Sequence, residues 1–202
     1  MINRHLTSLA VALDAIDAQA PRLQSWGSKA AAALAAGGRL LTVAASGSET
    51  QARHLATTLA QGDQDRPALA VSALETSPPD EGGEGRSLTD QVRELGRPGD
   101  LLICVSASTP DADLISAASA AREIGLVTWA LTGPGPNELA GACSDVVTVP
   151  TAIASTAEEV HLAAIHIFCA AVESGTRDAV RAAHAAAVSP PSRTAAGVPL
   201  TA

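Results

Sequence analysis

The sequence predicts an α/β fold in which a parallel, doubly wound sheet carries helices on both of its faces. Five short apolar runs of strand length alternate with segments that have the apolar periodicity of helices. The runs are largely apolar rather than alternating, which is typical of parallel strands buried on both faces. The predicted strands are residues 40–44, 68–72, 100–105, 126–131 and 145–149.

Two helices are predicted before the first strand. The first covers about residues 3–18; the second begins near Pro21, which suits a first helical turn, and stops at Gly37 and Gly38. The chain is 47% hydrophobic but only 1% aromatic, so its alanine-rich helices offer little bulk for an isolated core. We therefore expect the apolar faces of these helices to contact another subunit, in a homotetramer or at least a dimer.

The first strand, the turn after it and the next helix form the stretch around which the chain is organised. Residues 45–48 are Ala-Ser-Gly-Ser, and helical composition begins at Glu49. The first amides of a helix lack internal partners and lie at the positive end of its dipole, and Ser46 and Ser48 add hydroxyl donors beside Gly47. This pattern is typical of an oxyanion or phosphate site. The same residues would also form an ordinary turn with a serine N-cap, and this stretch alone leaves both interpretations open.

A second small-residue turn follows the third strand and contains Ser106 and Ser108. In doubly wound sheets, ligands bind beyond the carboxyl ends of the strands, where both serine turns are expected. Between the two turns, residues 75–85 are acidic and rich in proline and glycine, so we expect a mobile segment that could serve as an active-site lid. A short helix is predicted at 87–95, with Ser87 as its N-cap.

The C-terminal half continues the alternation of strands and helices. The helices predicted here are residues 110–124, 138–140, 156–174 and 176–187. The third of them carries His161 and His166, and the proline-containing segment 188–202 is expected to be a flexible tail. We predict a single domain over residues 1–187, with the two N-terminal helices within 1–37.

Charge and composition exclude several classes of function. The net charge is −8 and no basic stripe is present, which argues against nucleic acid as a direct partner. No apolar run approaches ~18 residues and the N-terminus has no signal-peptide core, so we expect no membrane association and a cytoplasmic location. Cys104, Cys143 and Cys169 have neither metal nor disulfide spacing. We therefore expect buried free thiols in a reducing cytoplasm. We predict no metal site and no cofactor.

Three segments carry a family resemblance when their order and spacing are taken together. They are the two serine turns, the segment LTGPGPNELAGACSDVVTVP and the helix EEVHLAAIHIFCAAVE. Over about residues 9–173 the chain resembles the sugar isomerase (SIS) domain family, in particular phosphoheptose isomerases and their non-catalytic replication-initiator homologue. The resemblance implies a three-layer α/β/α sandwich of flavodoxin-like strand order, usually a homotetramer. Its catalytic members convert sedoheptulose 7-phosphate into a heptose 7-phosphate.

The resemblance also implies roles for individual residues. The phosphate-binding positions of the family correspond to Ser48 in the first turn and to Ser106 and Ser108 in the second. His54 matches the histidine of the first helix. His166 matches the C-terminal catalytic histidine, next to a site that binds zinc in some members.

Several family positions are changed in this chain. Thr58 stands where the family has a catalytic glutamate, Glu158 where it has a glutamine, and Ser155 where an aspartate precedes that glutamine. Asp111 replaces a serine that contacts phosphate. A carboxylate there would repel a phosphate by ~1–4 kcal/mol at 4 Å, unless Asp111 caps its own helix and points away.

Isomerisation of an aldose to a ketose moves a proton between adjacent carbons, so it needs a base and an acid on the oxygen side. His166 is suited to this near neutral pH, and Glu158 is the carboxylate at a family functional position. Eight residues separate them, about 12 Å along a straight helix, so the pair cannot bind one small atom from one helix. The alternative for His166, and more strongly for His161, is a buried core or interface histidine.

Two hypotheses from different classes follow. The first is a sugar-phosphate isomerase resembling phosphoheptose isomerase, with Ser46, Gly47, Ser48, Ser106 and Ser108 binding substrate and His166 and Glu158 in catalysis. The second is a SIS protein that has lost catalysis and acts as a sugar-phosphate sensor or protein scaffold. Thr58 and Asp111 favour the second hypothesis, whereas the retained serines and His166 favour the first.

Overall fold

The computed structural model describes residues 2–61, 69–76, 86–108 and 112–188 of the 202-residue chain. The helices in these segments are α1 Ile2–Asp17, α2 Ala20–Ala35, α3 Glu49–Ala60, α4 Leu88–Leu95, α5 Ala112–Ile124, α6 Glu138–Ala142 and α7 Ala154–Val188. The strands are β1 Leu40–Ala44, β2 Val71–Ala73, β3 Leu101–Ser106, β4 Val127–Thr132 and β5 Asp145–Thr148.

The five strands form one parallel sheet in the order β2-β1-β3-β4-β5. The register pairs Val43 with Cys104 and Ala44 with Val105, so β1 and β3 end side by side at the centre of the sheet. Helices α1, α2, α3 and α7 contribute to the core on one face, and α4, α5 and α6 to the core on the other. The predicted doubly wound sheet, its flavodoxin-like order and the three-layer sandwich are therefore confirmed.

Helix α2 packs against the sheet and α7 of the same chain. Trp26 stacks on Trp129 of β4 with ring centroids 5.0 Å apart, and its indole N–H donates to Oδ2 of Asp145 at 2.8 Å. A Cβ on Gly27 would lie 2.3 Å from the Cβ of Ala171, so only glycine permits this close approach of α2 and α7. The expectation that α2 needs another subunit to cover its apolar face is wrong, because this packing buries that face within the chain.

Helix α1 is only partly covered by the rest of the chain. Ala12 and Ile16 are buried in the core, whereas Leu6 is 56% exposed and Val11 is 62% exposed. These exposed side chains are the part of the N-terminal region that remains consistent with an interface between subunits.

The main differences between the predicted and the observed elements lie in α7 and β2. Residues 156–174 and 176–187 belong to one helix, α7, which continues through Gly175. Gly175 lets α7 approach α2 closely, because a Cβ at this position would lie only 2.7 Å from the Cβ of Ala31. The second strand begins at Val71, where its pairing with β1 begins, and not at residue 68 as predicted.

Other predictions in the loops have mixed outcomes. The N-cap of α4 is confirmed, since Oγ of Ser87 accepts the N–H of Asp90 at 3.0 Å. Asp111, most of the predicted lid and the predicted tail beyond residue 188 lie outside the described residues. Among the described helices, none has the length and apolar character needed to cross a membrane.

His161 of α7 is a buried titratable residue in the core. It is fully buried, and neither ring nitrogen makes a hydrogen bond of good geometry with the described residues. Burial lowers its pKa to about 4, although the backbone of Thr132 opposes part of this shift. His161 is therefore neutral in the folded protein near pH 7.

We expect the free energy of unfolding to fall as the pH is lowered from about 6.5 to about 4. In this window His161 is protonated in the unfolded chain but not in the folded chain, so protons favour the unfolded state. The free energy of unfolding therefore falls by up to about 3 kcal/mol. Urea unfolding at pH 7 and pH 4.5 measures this loss of stability. His161→Leu should reduce the difference between the two pH values, and His184→Leu, at an exposed position of α7, should leave it unchanged. An equal pH dependence in wild type and His161→Leu would contradict the assignment.

Candidate functional site

A hydrogen bond joins the turns that follow β1 and β3. The N–H of Ala107 donates to Oγ of Ser48 at 3.1 Å, and Ser48 is only 2% exposed. Just before this contact the N–H of Ala45 donates to the carbonyl of Val105 at 3.0 Å, which extends the pairing of β1 with β3. The two serine turns are thus one connected unit at the carboxyl edge of the sheet. By accepting this bond, Ser48 keeps its own hydroxyl proton for donation.

The two serines of the second turn differ in exposure. Ser106 is fully buried, and its hydroxyl donates to the carbonyl of Ser108 at 2.9 Å. Ser108 is exposed and lines a cavity of about 550 Å³ together with Asn137, Glu138 and Thr151. In this structure Ser106 therefore shapes the turn, while Ser108 is the serine that is open to a ligand.

Two carboxylates lie beside the first turn. Gly47 has a φ of +92°, a left-handed conformation that favours glycine, and its N–H donates to Oε2 of Glu49 at 2.8 Å. Oε1 of Glu158 lies 4.0 Å from the place where a Cβ at residue 47 would stand. Ser46, also in this turn, is exposed. The sequence analysis missed the role of Glu49, although a carboxylate in a first helical turn is a recognisable signal.

His54 of α3 and His166 of α7 contact each other. Their Nε2 atoms are 2.9 Å apart, and the rings meet edge to face with centroids separated by 5.1 Å. One ring must donate and the other accept, so each histidine constrains the tautomer of the other. His54 is half-buried and His166 is exposed, which leaves His166 accessible to a small ligand. The sequence identified both residues but not their contact.

The histidine pair does not offer the ligand set of a zinc site. Zinc in proteins takes four ligands, usually Cys, His, Asp or Glu, with nitrogen at about 2.0–2.1 Å. Within the described ranges, no group of three such side chains could hold a metal ion. Thr58, one helical turn after His54, is not a common zinc ligand. The residues that the structure describes around this histidine pair therefore do not fit zinc.

The two residues predicted to be catalytic lie at different points along α7. Glu158 is half-buried near Gly47, whereas His166 contacts His54. Eight helical residues correspond to a rise of about 12 Å. The structure therefore brings His166 together with His54, and not with Glu158.

An ion pair that the sequence analysis missed lies at the end of β2. Nε and Nη2 of Arg53 are each 2.8 Å from Oε1 of Glu75. The hydrogen bond to Glu75, followed by its charge, raises the pKa of Arg53, and the same bond lowers the pKa of Glu75. Both side chains are well exposed, so the pair is accessible from solvent.

Comparison with known proteins gives a consistent set of relatives. The family model of the SIS domain matches residues 5–133. The phosphoheptose isomerase of Streptomyces coelicolor is 39% identical over 189 residues, which cover 90% of this chain and 82% of that protein. The phosphoheptose isomerase of Thiobacillus denitrificans is 35% identical over 172 residues, which cover 80% of this chain and 87% of that protein.

A solved structure agrees with these relatives. The phosphoheptose isomerase from Neisseria gonorrhoeae is similar with a TM-score of 0.72 and 25% identity, and the match covers 85% of this chain and 97% of that one. The family model covers more than half of the chain, and the sequence relatives are well above 30% identity over most of it. The chain therefore belongs to the SIS domain family.

Proposed function

We propose that this protein binds a sugar phosphate at the two serine turns and isomerises it between ketose and aldose, with a heptose 7-phosphate as substrate. The relatives named as phosphoheptose isomerases support the reaction class and the sugar. The single structural observation that carries the proposal is the contact between His54 and His166, which joins an accessible imidazole of α7 to the helix that begins at the serine turn.

The geometry of α3 supports a long sugar. The phosphate is proposed to bind the amides and hydroxyls around Gly47 and Ser48, with Ser46 and Ser108 completing the site and Ser106 holding the second turn in shape. His54 lies six residues after Ser48, a rise of about 9 Å along the helix. An extended seven-carbon chain has this scale, so a phosphate held at the turn brings the far end of the sugar to the histidines.

The proposed chemistry is a proton transfer through an enediol. His166 takes a proton from C1 of the ketose while an acid protonates the carbonyl oxygen on C2; return of a proton to C2 and loss of the proton on O1 give the aldose. His54 holds His166 in one tautomer. It can also accept the proton on Nε2 of His166 and later return it. Glu158, from the same helix or from a neighbouring subunit, is the proposed partner on the oxygen side. Its carboxylate takes the proton of O1 and gives it to O2.

The second candidate function is a sugar-phosphate sensor or scaffold without catalysis. The observation that favours it is Thr58, which offers no carboxylate within one turn of His54. An isomerase and a sugar-phosphate sensor both require the same site, so binding of the sugar does not separate these two functions, whereas turnover does.

The proposed setting is a cytoplasmic homotetramer, or at least a dimer, without a membrane or direct nucleic-acid partner and without a cofactor. The net charge of −8 supports a backbone-built anion site over a basic surface. The exposed Leu6 and Val11 of α1 support an interface between subunits.

Ser48→Ala should weaken the binding of sedoheptulose 7-phosphate by about 1–3 kcal/mol. The change removes a hydroxyl donor and leaves the nearly buried N–H of Ala107 without its partner. Isothermal titration calorimetry measures the affinity. Ser119→Ala, on exposed α5 surface away from the turns, is the matched control and should bind like wild type. Unchanged affinity in Ser48→Ala would count against the site.

His166→Ala should lower turnover of sedoheptulose 7-phosphate by ~10²–10⁴-fold, because the proposed proton carrier is lost. Thr58→Glu should raise turnover by restoring a carboxylate one turn from His54. His184→Ala, at an exposed position of the same helix, is the control and should match wild type. Isomerisation is followed by NMR of the sugar, and circular dichroism verifies that each variant is folded.

Two outcomes of this assay would change the account. Turnover that survives in His166→Ala would show that the residue is assigned wrongly. Measurable binding of the sugar without turnover by wild type or Thr58→Glu would decide for the non-catalytic function.

Light scattering at micromolar concentration should give the mass of a tetramer or a dimer. Val11→Glu should lower that mass, because it places a charge in the exposed apolar patch of α1. Leu95→Glu, which changes an exposed leucine on α4 at the other face of the sheet, is the control. A monomeric wild type would refute the proposed assembly.

A further inference from the structure

The proposed anion site already holds a negative group of the protein itself. Oε2 of Glu49 accepts the N–H of Gly47 at 2.8 Å, which is an amide that a bound phosphate oxygen would use. Glu49 is exposed and sits at the first position of α3, so its side chain is open to solvent while it makes this contact. A phosphate entering the turn has to displace this carboxylate or bind against its charge.

A second partner for Glu49 lies one helical turn away. Arg53 follows it by four residues on α3, the spacing and order at which a glutamate and a basic residue attract each other on a helix surface. Nε and Nη2 of Arg53 both contact a single carboxylate oxygen of Glu75. A guanidinium has five N–H donors in total. Arg53 therefore keeps donors for a second carboxylate. The negative charge of Glu49 already contributes to raising the pKa of Arg53.

We propose that Glu49 is a built-in competitor that controls how tightly the site binds phosphate: it occupies the Gly47 amide in the free protein and moves to Arg53 when the ligand phosphate enters. This inference rests on the proposed function, because it concerns the same anion site. Glu49 is thereby a specificity residue. It disfavours free anions that cannot also use the sugar contacts, and Arg53 accepts its charge when a complete ligand binds.

The affinity for inorganic phosphate tests the proposal, because this probe has only the anion contacts. Titration is followed by the ¹⁵N–¹H signal of Gly47 in wild type, Glu49→Gln, Arg53→Gln and the double variant. Glu49→Gln should bind phosphate about tenfold more tightly, because like-charge repulsion is removed. Arg53→Gln should bind it about threefold more weakly than wild type, because Glu49 loses its alternative partner. In the Glu49→Gln background the Arg53 change should have no effect.

Asp178→Asn is the matched control, since it removes one negative charge from an exposed position on the C-terminal part of α7. It should bind phosphate like wild type. Phosphate affinity in Glu49→Gln no higher than in this control would overturn the proposal while leaving the anion site intact. Equal weakening by Arg53→Gln in both backgrounds would overturn the transfer to Arg53, because Arg53 would then bind the phosphate itself. If sedoheptulose 7-phosphate also fails to bind wild type, the proposed function fails and this inference fails with it.

Discussion

The hydrogen bond from the Ala107 amide to Ser48 is the contact on which the candidate site depends. It lies where β1 and β3 end next to each other, and it fixes the relative position of two turns that are far apart in sequence. Because the N–H of Ala107 is nearly buried, losing this partner would leave it unsatisfied in the protein interior. The pairing of two strands is thereby extended into one connected pair of turns, and α3 begins directly at the first of them.

The electrostatics around this unit are unusual for a site proposed to bind a phosphate. Glu49 and Glu158 lie beside the first turn, and Arg53 is paired with Glu75. Attraction for an anion then depends on backbone amides, hydroxyls and the dipole of α3, which all act at short range. Such a site selects ligands by geometry more than by charge, and this agrees with the acidic character of the chain.

Most of the fold could be predicted from the sequence, because five apolar strands alternating with helices permit few arrangements. The long α7 was predicted as two helices, since Gly175 is a helix breaker locally and its close contact with α2 is a tertiary effect. In the candidate site, the serine turns and the individual histidines were visible as local patterns. The contacts of His54 with His166 and of Arg53 with Glu75 were not, because they join residues that are distant in sequence.

A crystal structure with sedoheptulose 7-phosphate bound tests the central claim most directly. We expect the phosphate within hydrogen-bond distance of the amides around Gly47 and of the Ser48 hydroxyl, with C1 and C2 of the sugar next to the imidazole of His166, on the side that His54 leaves open. We also expect the hydrogen bond from the Ala107 N–H to Oγ of Ser48 to persist in the complex. A phosphate bound in the cavity beside Glu138, with the sugar directed away from the histidine pair, would contradict the account.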